Sequence, residues 1–355
     1  MNLIWQTFLT QHGAIIAADR VAHFGDAAAE LRATQNGTVI CDLSYLSLLQ
    51  FAGDDATAFL QGQLSCDVNK ISSVASANAA QYGGYCTPKG RLLMTFLLWK
   101  EMASGGKNDA GYLMQLPGSL REAMQKRLSM FVMRSKVKVA DSSDAWVRLG
   151  VAGNNSSALV EKAAGHLPGA DLSITASDTC SVLRLANDRY EILAAPERAG
   201  EIWDALNASA TPVGAACWDW LEINACIPTI TAATQEEFIP QMVNLEAIGG
   251  VSFKKGCYPG QEIVARTQYL GKLKRRMYLA RINTAESVAA GDALFGADMN
   301  EQASGIIVNA APAPGGGVDV LAVIQTSSVE ANSIHWKTRD GAALKMLPLP
   351  YTLVA

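Results

Sequence analysis

The sequence predicts an α+β fold: two mixed sets of strands and helices, suggesting a duplicated β-α-β arrangement, with a small β-barrel after them. Three observations lead there. Two stretches of similar size, ending near residue 145 and near Gly271, each alternate dense apolar runs with segments of helical spacing, although no fixed-period repeat joins them. After Lys272 the runs are short, bounded by Gly and Pro, and without strong helical signal, the pattern of a barrel or sandwich. The chain has 355 residues, 49 % of them hydrophobic, enough for two or three packed domains. The expected domains are 1–145, 146–271 and 272–355.

Taken in order, the first forty residues are Ala-rich and weakly patterned. Asp54-Asp55 precede Phe59, Leu60 and Leu64, a short helix with acidic residues at its positive end. Residues 91–99 have the density and length of a buried strand. Ser104-Gly105-Gly106-Lys107-Asn108-Asp109 reads as a polar loop tip. Ser119-Leu120-Arg121-Glu122 has the form of a capping box, with Leu120, Met124, Leu128 and Phe131 following at helical spacing. Lys136-Val137-Lys138-Val139 alternates like a half-exposed strand. In the second set, 146–151, 180–186 and 190–195 read as strands, and 157–164 and 197–208 as helices. In the third region 277–282, 305–308 and 318–324 read as strands, the last two split by Ala311-Pro312-Ala313-Pro314-Gly315-Gly316-Gly317.

Composition narrows the function. A formal charge of −4 argues against a general nucleic-acid coat, which needs clustered positive charge. The longest apolar runs, such as 92–99, fall far short of the roughly 20 residues that cross a bilayer, and the N-terminus lacks the basic stretch that opens an export signal. Seven widely spaced cysteines without a CxxC fit free thiols in a reducing compartment, so the expected location is cytoplasmic, with no membrane partner. Four scattered histidines without HExxH give no self-contained metal site.

One segment departs from the average: Phe253-Lys254-Lys255-Gly256-Cys257-Tyr258-Pro259-Gly260-Gln261-Glu262, continuing to Ala265-Arg266. Residues 254–281 hold eight basic side chains and one acidic, a local charge of +7 in an acidic chain. Such a concentration points to an anion, or else to a solvated barrel strand and its turn. Cys257 favours the functional reading. It follows two lysines, lies between Gly256 and Gly260, and precedes a helix start at Gly260-Gln261-Glu262. Ammonium groups and helix N-termini both stabilise a thiolate, and flanking glycines let a partner approach. The other six cysteines read as inert, buried, small hydrophobes.

The segment Lys255-Gly256-Cys257-Tyr258-Pro259-Gly260-Gln261-Glu262 resembles the signature of the YgfZ-type folate-binding proteins, iron–sulfur cluster assembly or repair factors related to the glycine-cleavage T-protein. Supporting stretches are Phe59-Leu60-Gln61-Gly62-Gln63-Leu64 with Asp67-Val68, Phe238-Ile239-Pro240-Gln241 with Asn244-Leu245, Gly249-Gly250, and Leu347-Pro348-Leu349-Pro350-Tyr351. The resemblance implies two T-protein-like folate-binding domains around a central cavity, then the barrel, with Cys257 exposed at the cavity rim. It implies tetrahydrofolate or a derivative as cofactor, and iron–sulfur client proteins or assembly machinery as partners, with an indirect link to tRNA modification.

Residue by residue, the resemblance sets Trp218 against the folate ring; Trp218 also shares a helical face with Leu221 and Ala225, and a core role is the second reading. A glutamate that the family aims at the pterin is Asn224 here, which keeps one carbonyl acceptor and loses the charge. A second aromatic contact falls on Leu46, beside Tyr45, and Gln241 and Asn244 complete the implied binding set. Where the T-protein carries paired aspartates, this chain reads Lys89-Gly90-Arg91-Leu92-Leu93-Met94-Thr95, with no proton carrier for aminomethyl transfer; Lys89 and Arg91 read as a solvated turn. Two other readings stay open: a folate-dependent one-carbon enzyme using Cys257 as nucleophile or base, and an RNA-docking surface on the basic segment. Stable storage of a cluster in one chain is disfavoured, because four clustered thiolates are the usual requirement, while a transient cluster shared between chains stays open.

Overall fold

The structure is a computed structural model that describes residues 1–353 except 73–78, 102–110, 272, 300–301 and 332. The polar loop tip expected at 104–109 and the basic side chain of Lys272 lie outside the described residues. The chain divides into two compact units, neither of them a continuous stretch: one holds Met1–Phe59, Val68–Gln81 and Leu97–Trp218, the other Leu60–Asp67, Tyr82–Phe96 and Asp219–Ala355.

In the first unit a six-stranded sheet has the order Ile174–Ala176, Cys180–Leu185, Arg189–Ala194, Val147–Ala152, Val39–Asp42, Thr211–Val213. Only Thr211–Val213 pairs in parallel, with Val39–Asp42. The sheet thus takes a strand from the N-terminal part of the chain as well as from 146–213. Strand alternation gives it two unlike faces. Val147, Leu149, Val151, Tyr190, Ile192 and Ala194 pack with Trp5, Leu9, Trp203 and Leu206 of the helices Leu3–Gln11 and Pro196–Asn207 into an apolar core. Their neighbours Arg148, Gly150, Arg189 and Glu191 are buried on the opposite face.

A five-stranded sheet has the order Ala80–Cys86, Leu92–Lys100, Tyr112–Pro117, Leu46–Ala52, Lys138–Asp141, with Leu46–Ala52 antiparallel to both of its neighbours. The 91–99 run is therefore a strand, shifted by one residue, and all but the last of its residues are buried. The capping box does not form. The helix Arg121–Met130 starts after a 3₁₀ turn at Gly118–Leu120, and no side chain caps it. Leu120, Met124 and Leu128 are buried as their spacing predicts, but Phe131 lies past the helix end and is exposed. The weakly patterned N-terminal region holds two helices, Leu3–Gln11 and Ala27–Asn36, capped by the side chains of Asn2 and Asp26. In the second, alanines at 27, 28, 29 and 33 hide the periodicity.

In the second unit a six-stranded sheet runs Ile334–Trp336, Ala293–Gly296, Ala303–Pro312, Val318–Gln325, Arg275–Ile282, Leu344–Leu347. Its two edge strands meet through a bridge between His335 and Ala343, so the sheet curls into a half-barrel. The Pro/Gly stretch makes the turn between Ala303–Pro312 and Val318–Gln325, with Gly315, Gly316 and Gly317 at positive φ. Met277, Leu279, Leu321 and Val323 join Leu92, Ile223, Phe238, Leu245 and Val264 in one core. That core carries the Cys257 segment.

Candidate functional site

The motif segment is irregular up to Gly260, the N-cap of the helix Gln261–Leu270, so the predicted helix start is where the sequence puts it. Gly260 has φ +81°, and a Cβ there would stand 2.5 Å from the Thr87 carbonyl oxygen and 2.6 Å from the Gly90 Cα. Glycine is thus required twice over, for the left-handed backbone and for the close approach of the 87–91 turn. Val264 anchors the helix in the core. Tyr258 is buried, and burial pushes its hydroxyl above the ordinary tyrosine range. Between these fixed points Cys257 is exposed, whereas the other six cysteines are buried. Burial raises the thiols of Cys66, Cys86 and Cys226 to about 12, which leaves them protonated and inert.

The segment Leu60–Asp67 holds the motif in place. The Ser65 hydroxyl donates to the Gly250 carbonyl at 2.6 Å, and the Ser252 N–H donates to the Ser65 carbonyl at 2.9 Å. Lys255 Nζ donates to the carbonyls of Gln61 at 2.7 Å, Cys66 at 2.9 Å and Leu64. Burial lowers the Lys255 ammonium to about 8. This corrects the expectation that both lysines serve the thiolate: the donors of Lys255 are engaged by backbone carbonyls, and Lys254 alone is exposed.

The +7 segment is likewise less basic outwardly than its sequence. Arg276 pairs with Glu246, and Arg281 forms a two-bond pair with Asp319 at 2.6 and 2.9 Å. Lys254, Arg266 and Lys274 are its exposed cations among the described residues. Glu262 is exposed, and Gln261 Nε2 donates to the Lys255 carbonyl at 3.5 Å. Lys89 is exposed at the tip of the 87–91 hairpin turn, and Arg91 donates to the Glu237 carbonyl at 2.6 Å.

The side chains expected to hold a cofactor fall in different settings. Gln241 is buried and donates to the Val264 carbonyl at 2.6 Å. Asn244, also buried, donates to the Met277 carbonyl at 2.9 Å and accepts from Arg276 at 3.2 Å. Asn224 donates to the Trp220 carbonyl at 2.9 Å and to Asp319 at 3.4 Å. These three amides tie the second unit together. Leu46, in the first unit, is half-buried at the start of its strand, and its carbonyl accepts from Arg148. Trp218, 1 % exposed, has its ring against Gly150, where a Cβ would come within 2.5 Å of it.

Trp218 thereby joins the polar face of the six-stranded sheet, which sequence reasoning missed. Glu191 is register partner of Gly150, and its carboxylate accepts from Gln115 Nε2 at 3.0 Å. Arg189 lies 5.9 Å from the Trp218 ring centroid. Arg148, fully buried, donates to the carbonyls of Leu43 and Ser44, and burial lowers its guanidinium to about 10. Gln115 Oε1 and Arg148 Nη1 are buried without a hydrogen-bond partner among the described residues. Orphaned buried polar atoms are uncommon and point to a ligand or ordered water. One signal was available: Arg189 and Glu191 sit two apart in an otherwise apolar strand, and so share a face. Among the described residues no group of three or more His, Cys, Asp or Glu side chains could hold a metal ion.

The model of the GCVT N-terminal domain family matches residues 8–255. The chain is 33 % identical over 319 residues to a protein of Photobacterium profundum named tRNA-modifying protein YgfZ, covering 88 % of this chain and 92 % of that one. A Klebsiella pneumoniae protein of the same name is 30 % identical over 310 residues, with 86 % and 91 % covered. Among solved structures, glycine cleavage system aminomethyltransferase T from Bartonella henselae matches with a TM-score of 0.75 and 17 % identity, over 99 % of this chain and 97 % of that one. The fold is therefore T-protein-like.

Proposed function

From the premise that the chain belongs to the GCVT N-terminal domain family and, within it, with the proteins named tRNA-modifying protein YgfZ, we propose that it binds a reduced folate and serves the assembly or repair of iron–sulfur clusters. Its clients include tRNA-modifying enzymes, and its place of work is the cytoplasm. The working group is Cys257. The observation that carries this reading is the contrast among the thiols: six are buried, and the seventh stands outside on a loop fastened at both ends. An exposed cysteine sulfur can act as ligand or nucleophile for an incoming client; the cluster is cargo rather than a resident group.

The polar face of the first unit is our proposed seat for a reduced pterin. Trp218 offers an aromatic ring, Glu191 and Gln115 offer acceptors for an amino-amide edge, and Arg148 brings a donor still without a partner among the described residues. When bound, tetrahydrofolate supplies a reduced ring whose nitrogens carry or accept a one-carbon unit. The chain's own residues orient that ring and exclude water from it. One-carbon transfer is the weaker alternative, since the Lys89–Thr95 stretch bears no carboxylate. The test is complementation of a strain lacking this protein: wild type restores iron–sulfur-dependent tRNA modification, and Cys257→Ala, equally folded and expressed, does not. Full restoration by Cys257→Ala would reject the proposal.

A further inference from the structure

We propose that Lys255 is the positioning residue of Cys257, fastening the motif loop to the 61–66 segment so that the thiol is presented outward in one orientation. The inference rests on the reading of Cys257 as the working thiol. Cys257 cannot hold its own place: it is exposed, and it makes no hydrogen bond among the described residues. Its neighbour Gly256 stands in open space, with nothing within 4 Å of where a Cβ would be. Order must come from the flanks. On the far side Tyr258 is buried and Gly260 is pinned against Gly90. On the near side the last fixed point before the thiol is Lys255, two residues away.

An ammonium has three N–H donors, and Lys255 directs them at three carbonyls, those of Gln61, Leu64 and Cys66. Gln61 ends the helix Ala56–Gln61, whose last carbonyls lack intrahelical donors, so the lysine caps that helix as it anchors the loop. The same Nζ lies 5.2 Å from the Tyr258 ring centroid, so the two residues that flank the Gly256-Cys257 pair meet each other across it. Charge-assisted bonds are about twice as strong as neutral ones. A guanidinium presents its donors from three nitrogens in a flat fork, not from one nitrogen as a tripod, so at position 255 arginine retains the charge and loses the geometry.

The test uses a nitroxide spin label on native Cys257, which is selective because the other six cysteines are buried. Wild type is expected to give a single ordered line shape. Lys255→Arg and Lys255→Met are expected to give a dominant mobile component and a loss of client support on the order of tenfold or more, while thermal unfolding of Lys255→Arg stays close to wild type. A folded variant of either kind with the wild-type line shape overturns the inference. So does loss of the fold in both, which would make Lys255 a purely structural residue. Failure of the underlying reading looks different: Cys257→Ala would then support client enzymes as well as wild type, while label order still responded to position 255.

Discussion

Trp218 packs its ring directly on the Cα of Gly150, where a Cβ would stand 2.5 Å from Cζ3 and 2.6 Å from Cε3 of the indole. The glycine is therefore a seat for the tryptophan. Gly150→Ala is expected to push the ring off the sheet face, costing about 1–3 kcal/mol of stability and weakening tetrahydrofolate binding. Urea unfolding and quenching of tryptophan fluorescence by tetrahydrofolate check the two effects.

Gln115 Oε1 is buried without a partner among the described residues, although Gln115 Nε2 is bound by Glu191. If that oxygen meets the pterin edge, Gln115→Leu should weaken tetrahydrofolate binding by roughly three- to tenfold, the worth of one ordinary hydrogen bond. A fluorescence titration measures it. Unchanged affinity would remove Gln115 from the binding face.

Gly260 meets Gly90 backbone to backbone, at φ +81°. Gly260→Ala combines a left-handed alanine with a clash against a neighbouring turn, and is expected to cost about 2–4 kcal/mol. Thermal unfolding checks the stability, and a gain in Cys257 label mobility would follow from the loosened loop.

The pH dependence of stability has a definite sign. Lys255 titrates near 8 when folded against an ordinary 10.5, so above pH 8 the unfolded chain holds the extra proton and stability rises with pH. Cys66, Cys86 and Cys226 titrate near 12 when folded against an ordinary 9.0, so above pH 9 the folded chain holds the extra protons and stability falls. The urea midpoint should therefore rise from about pH 7.5 to about 9 and decline beyond. In Lys255→Met the rise should be absent and the decline retained.

Much of this was legible locally. Gly260 as a turn before Gln261–Leu270, the strand near 91–99 and the exposed thiol at 257 all follow from short-range pattern. The stretch around Gln61 and the Cys257 motif were each visible, but not that they form one joint: Lys255 and Gln61 are 194 residues apart, and no periodicity reports an ammonium resting on distant carbonyls. The basic segment misled for the same reason, since the acids that neutralise Arg276 and Arg281 are Glu246 and Asp319, outside it in sequence. The face built from Gln115, Arg148, Glu191 and Trp218 depends on strand register, which the sequence leaves unspecified until the sheet is formed.

The most direct test of the central claim uses purified components: an iron–sulfur-dependent tRNA-modifying enzyme with its cluster oxidised, dithionite as electron donor, ferrous iron and sulfide, tetrahydrofolate, and either wild type or Cys257→Ala. Wild type is expected to restore modification, and Cys257→Ala, with an unchanged melting profile, to leave the enzyme at the level found without any added protein. Equal recovery with both would contradict the account.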